Sequence, residues 1–223
     1  MNIAVLILIL LMMATLFYKF RRDGAYQLQV RQHMFDELES LLQHSTRTTD
    51  KANLPVLQGS YGGYKVAFSV VEDSIGWRKL PPLWLLVKVE ANRATTGTLD
   101  MIVRPANNEF YSPSWQWDGN LAIPASWPQH AIMKYHQQAV DVALLGRHVP
   151  AMFADDKMKE VLLLPNMVRL TYMVKQAERG EYLIMRNTVF DAQPIDKTVA
   201  EGLLKQAIAL RTTMESELND ENK

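Results

Sequence analysis

The chain has 223 residues, 48% of them apolar and 22% charged, with 24 basic residues balancing 24 acidic ones. That balance excludes a wholly disordered chain, and zero formal net charge supplies no field to draw nucleic acid to the surface. The absence of cysteine removes disulfides, thiol nucleophiles, thiolate zinc sites and iron–sulfur clusters together.

Residues 3–16 carry no charge, and Thr15 is their only polar side chain. A helix over 1–20 spans about 30 Å, the thickness of a bilayer's hydrocarbon core. The pattern predicts a single-pass transmembrane anchor. A cleaved signal peptide would need a basic segment before the apolar run, whereas Lys19, Arg21 and Arg22 follow it. Those three cations, interleaved with Phe17, Tyr18 and Phe20, form the aromatic and basic collar expected at a membrane interface. With Arg31 they put the positive charge on the C-terminal side, so the positive-inside rule places the large domain in the cytoplasm.

Gly24 permits a bend, and 25–44 then reads as an amphipathic helix with Leu28, Phe35, Leu38 and Leu42 along its apolar stripe. That stripe fits packing on the chain's own domain. It also fits a protein partner or a second copy, which makes these four residues candidate partner contacts. His33 and Glu37 stand one helical turn apart, but a metal site needs a third ligand and the sequence indicates none nearby. Residues 45–53 are polar and read as a linker that lets the domain move relative to the membrane.

From residue 54 the apolar period changes to two. Tyr64, Val66, Phe68 and Val70 alternate with polar or small residues after the turn-forming Gly59, Gly62 and Gly63, and strands follow over 83–89 and 98–103. No helix long enough for a parallel crossover separates them, so the sheet is expected to be antiparallel. Residues 105–127 form a long irregular stretch rich in aromatic side chains, and 128–145 reads as a helix with Ser126 as N-cap and Gly146 at its end. Residues 158–190 read as a three-stranded meander turning at Pro165-Asn166 and at 178–181. Residues 196–218 read as a final helix with Thr198 and Glu201 as a capping box. The expected architecture is α+β: an anchor over 1–20, a juxtamembrane helix and linker over 21–53, and a globular domain over 54–218. There the antiparallel sheet is packed with helices 128–145 and 196–218, and a disordered tail follows over 219–223.

Chemical motifs are sparse. There is no phosphate loop, G-x-S-x-G elbow or H-E-x-x-H pair, and neither a cofactor nor a metal is expected. Two aromatic stretches stand out. The 77–84 loop sets Trp77, Arg78, Lys79 and Trp84 among two prolines, a composition suited to lipid headgroups or a partner peptide. In 107–127, Tyr111, Trp115, Trp117 and Asp118 combine flat rings with polar groups and suit a small planar ligand or a glycan. Filling a sheet face is the simpler role for the same rings. The leading function is a membrane-anchored, non-enzymatic interaction or accessory protein whose partners are membrane lipid and another protein. A ligand-binding domain comes second, and a hydrolase built on His136, His148, Asp155 and Asp156 third.

Overall fold

The computed structural model describes residues 3–74, 80–90, 95–185 and 187–220, without the side chains of 184, 185 and 217–220. Helix α1 (Ile3–His33) runs through Gly24 without a break, which corrects the expected bend and the separate helix over 25–44. One glycine costs a helix only about 1 kcal/mol, too little to interrupt good helix formers on both sides. The helix stops at His33 because the following side chains turn inward. Val30, Met34, Phe35, Leu38 and Leu42 are buried, and the Met34 carbonyl accepts the Ile195 N–H at 2.9 Å. His33 Nδ1 consequently contacts Asp36 Oδ2 at 2.6 Å, so Glu37 is not its partner.

A nine-stranded antiparallel sheet follows, built from β1 (Gln43–Thr49), β2 (Pro55–Tyr61), β3 (Tyr64–Glu72), β4 (Pro82–Glu90), β5 (Leu99–Val103), β6 (Gly119–Asn120), β7 (Ala131–Tyr135), β8 (Met158–Leu164) and β9 (Met167–Gln176). Their spatial order is β1-β2-β3-β4-β9-β8-β5-β7-β6. With its nine strands and its helices, the chain is α+β. The polar stretch expected as a linker is in fact the edge strand β1, whose side chains are mostly exposed and whose threonines suit a strand. β4 is central, and Leu83 to Val87 are all buried. Gly62 and Gly63 hold φ of +57° and +84° in the two-residue β2–β3 turn, a conformation that disfavours a side chain at either position.

Two elements after β5 depart from the sequence reading. The segment expected as helix 128–145 is β7, followed by the short helices α2 (Val142–Leu145) and α3 (Val149–Met152). Ile132 and Tyr135 satisfy a helical spacing, but β5 offers an open edge along which Asp100 to Val103 pair with Lys134 to Ala131. The helical N-cap is accordingly Asp141 and not Ser126, and Gly146 closes α2. Likewise, the third strand of the expected meander is helix α4 (Arg179–Met185), followed by non-strand chain. The final helix, α5 (Lys197–Asp220), matches its expectation, although its first amides bond the Asp196 carboxylate in place of a Thr198–Glu201 capping box.

The two faces of the sheet are covered differently. On one face Leu85, Val87, Val161 and Leu170 pack against Leu203, Ala207, Leu210 and Met214 of α5. On the other lies segment 104–127. Gly97 marks where the chain closes on itself: its φ is +80°, and a Cβ there would sit 2.8 Å from the Ala139 backbone. Gly97→Ala is expected to lower stability by about 1–3 kcal/mol, measured as a shifted denaturation midpoint with unchanged slope.

Candidate functional site

The strand directions place the C-terminal ends of β1, β3, β5 and β9 and the N-terminal ends of β2, β4, β7 and β8 together. α1 enters the domain at this end. Its Arg31 guanidinium donates to Glu72 at 3.1 and 3.2 Å, and a groove of about 770 Å³ lies between Gly24, Leu28 and Arg31 of α1 and Arg47, Thr49 and Pro55 of the sheet.

A second cavity of about 370 Å³ opens beside the first residues of segment 104–127 and is lined by Pro82, Trp84, Arg104, Asn108, Glu109 and Lys159. A bulge between Met158 and Glu160 inserts Lys159 into β8 and turns its side chain to this face. The ammonium donates to Glu109 Oε1 at 2.7 Å and to the Val103 and Arg104 carbonyls at 3.1 and 2.8 Å, and sits 6.0 Å from the Trp84 ring. Burial alone would raise the Glu109 carboxyl. Lys159 and the Ala106 N–H outweigh it and hold that pKa below the ordinary value. Arg104 adopts φ +47° and donates to the carbonyls of Asp156 and Met158. Trp84 Nε1 donates to Asp73 Oδ2 at 3.4 Å, while the buried Oδ1 of Asn108 meets no donor.

Deeper under the same segment, Asp100, Glu160, Arg169 and Thr171 are joined to Ser112 and Ser114. Arg169 donates to both Glu160 oxygens at 2.9 Å, the Thr171 hydroxyl donates to Glu160 and that of Ser112 to Asp100. Burial first and the Glu160 carboxylate second push the Asp100 carboxyl up to about 8. These hydroxyl, carboxylate and guanidinium contacts tie the segment to the sheet.

The other titratable candidates are dispersed. His148 Nε2 lies 2.9 Å from the Thr213 hydroxyl, which is also 3.1 Å from the Ala209 carbonyl. Burial, with Arg147, lowers the His148 pKa. His136 stacks on Trp117, Asp155 accepts from Tyr172 and Asp156 lines the cavity near Arg104. Among the described residues no three metal-binding side chains converge.

The residues singled out from sequence separate by depth. Phe35, Leu38 and Leu42 are buried in the chain's own core, whereas Leu28 is exposed on the groove. Trp84 is buried against the half-buried Tyr111, and Trp117 is buried too. Trp115 and Asp118 remain outside. Trp77, Arg78 and Lys79 lie outside the described residues. Phe17, Tyr18 and Phe20 are exposed, with Arg21 set over the Phe17 ring at 6.0 Å and Arg22 paired to Asp23 at 3.8 Å; Lys19 is half-buried. Sequence reading missed Lys159, Glu109, Asp100 and Glu160. For Asp100, Lys159 and Glu160 the available signal was a charged residue in an otherwise apolar strand; Glu109, in the irregular segment, carried none.

These features define an α+β protein whose N-terminal helix is long and apolar enough to cross a membrane, with none of that apolar stretch buried inside the protein. No family model matches the chain, and no curated protein matches it by sequence. Among solved structures it is similar to the crystal structure of the mycobacterial trehalose monomycolate transport factor A, TtfA, at 9% identity and a TM-score of 0.38, over 79% of this chain and 74% of that one.

Proposed function

We propose that the chain is a membrane-anchored, non-enzymatic accessory protein whose domain stands at the cytoplasmic surface of a bilayer. The observation that carries this reading is the continuity of α1. Its apolar stretch is wholly unburied at one end, while Val30 is buried at the other and Met34 and Phe35 continue directly into the core. So much exposed apolar surface needs an apolar solvent, and the rigid junction holds the domain at a fixed height above it. Tethering concentrates the domain near other membrane components, so a modest contact through Leu28 and its groove suffices for a protein partner.

A second reading, a small-ligand domain, draws on the cavity beside Trp84, where the unpartnered Asn108 Oδ1 favours a ligand that donates a hydrogen bond.

Alkaline carbonate washing of cell membranes tests the first reading. The full chain is expected in the pellet, and a reporter fused after Lys223 is expected in the cytoplasm. Intact protein, Met1 included, in the detergent-free soluble fraction would overturn the anchor. An exported reporter would overturn the orientation.

A further inference from the structure

We propose that α4, through its exposed Leu183, rests on the bilayer that α1 crosses, giving the domain a second contact with the lipid surface. This inference depends on α1 being a membrane anchor. The argument begins with height. The outward rings of Phe17, Tyr18 and Phe20 mark the edge of the hydrocarbon, and the residues that follow climb ~1.5 Å each, so Tyr26 lies at most about 9 Å above Phe20. The headgroup layer on each side of a bilayer is about 5–8 Å thick. Lys19, Arg22 and Tyr26 share one cleft with Glu178, Glu181 and Val189, the residues that begin and follow α4. That helix is therefore level with the headgroups.

Its side chains suit the position. Tyr182 is buried in the domain, while the next residue, Leu183, is 56% exposed. Among the described residues beyond α1, the exposed large apolar side chains are Phe110, Trp115 and Leu183. A single exposed leucine is ordinary on a soluble surface. At headgroup height a leucine can reach the boundary with the acyl chains, out of bulk water. Lys19, Arg21 and Arg22 attract anionic lipid, and the proximity of Lys19 and Arg22 to Glu178 and Glu181 offsets the repulsion those acids would feel. One transmembrane helix fixes height but leaves tilt free. A second contact removes that freedom and directs the groove beside Leu28 in a constant direction.

The chain has no cysteine, so a single introduced thiol can be labelled without background. The full chain carrying Leu183→Cys, Leu10→Cys or Asn166→Cys is labelled with a polarity-sensitive fluorophore and reconstituted into vesicles of phosphatidylcholine and phosphatidylglycerol. Asn166 lies in the β8–β9 turn at the other end of β9, about 30 Å from the α4 end. The label at 183 is expected to be quenched at least twofold more than that at 166 by headgroup-level spin-labelled lipid, and to be protected from iodide. The label at 10 should be quenched by a deep spin label. Should the Leu183 variant misfold, Gly180→Cys reports from the same helix, where a Cβ meets nothing within 4 Å. A 183 label that behaves like the 166 label overturns the inference and leaves the anchor standing, as does one shielded from both quenchers by a covering protein. Failure of the Leu10 variant to enter vesicles removes both.

Discussion

Replacing Glu109 with alanine is expected to lower the unfolding free energy by about 3–5 kcal/mol, because it strands the Lys159 ammonium in a site built for a pair. Lys159 and Glu109 side chains are 7% and 1% exposed, so the ammonium left behind is largely withdrawn from bulk solvent. The same carboxylate accepts the Ala106 N–H at 2.7 Å and the Asn108 N–H at 3.2 Å, so its loss also orphans two backbone donors. For a domain of this size the thermal midpoint should fall by about 10 °C or more. Glu109→Gln keeps an acceptor for the amides while losing the charge, and is expected to cost about half as much. The measurement is chemical denaturation of the full chain in mild detergent. An alanine variant within 1 kcal/mol of the parent would mean that the ammonium finds another partner and that segment 104–127 is held by its aromatic filling alone.

That pair also shows why the fold was more legible than the site. β3 announces itself through alternation, as Val66, Phe68 and Val70 do, because one buried face imposes a period of two. α5 announces itself through the stripe from Leu203 to Met214. β7 does not, since Ile132 and Tyr135 fit either period and only the open edge of β5 decides between them. β1 is hidden for a related reason: an edge strand exposed on its faces has no apolar face to reveal it, so QHSTRTT reads as a linker. The α1 stripe was visible, but the sequence left two roles open for it, packing on its own domain or meeting a partner. Phe35, Leu38 and Leu42 are apolar because the chain turns into the core there, a fact that follows only once Ile195 bonds the Met34 carbonyl. Lys159 meets Glu109 across 50 residues of sequence, and a bulge turns it to the face where they meet. No local pattern encodes such a meeting. The Phe110 to Trp127 rings were visible as a cluster, but burial divides them: Trp117, Trp127 and the Tyr111 hydroxyl are buried, while Phe110 and Trp115 are exposed.

The deeper polar cluster leads to a pH effect opposite in sign to that of a salt-bridged carboxylate. Asp100 has no exposure, and its Oδ1 accepts no hydrogen bond. The Ser112 and Ser114 hydroxyls and the Arg169 guanidinium favour its charge, but burial and the Glu160 carboxylate outweigh them, so its pKa rises to about 8 in the folded protein. An unfolded aspartate titrates near ~3.9. Between those values the folded state holds a proton that the unfolded chain has released. The stabilisation is thus fully present below about pH 4 and is lost as pH rises through about 8, at ~1.4 kcal/mol for each pH unit of full difference. Carboxylates with lowered values, Asp36, Glu109 and Asp155 among them, act in the opposite sense and at lower pH, and His148 opposes the trend near neutrality. Comparison with Asp100→Asn cancels those backgrounds, since the amide matches the carboxyl in volume and does not titrate. The two proteins are expected to agree within about 1 kcal/mol at pH 5, and the asparagine variant to be more stable by about 2 kcal/mol or more at pH 8. Parallel stability curves from pH 5 to 8 would show that Asp100 is ionised throughout and that Arg169 neutralises both carboxylates of the cluster.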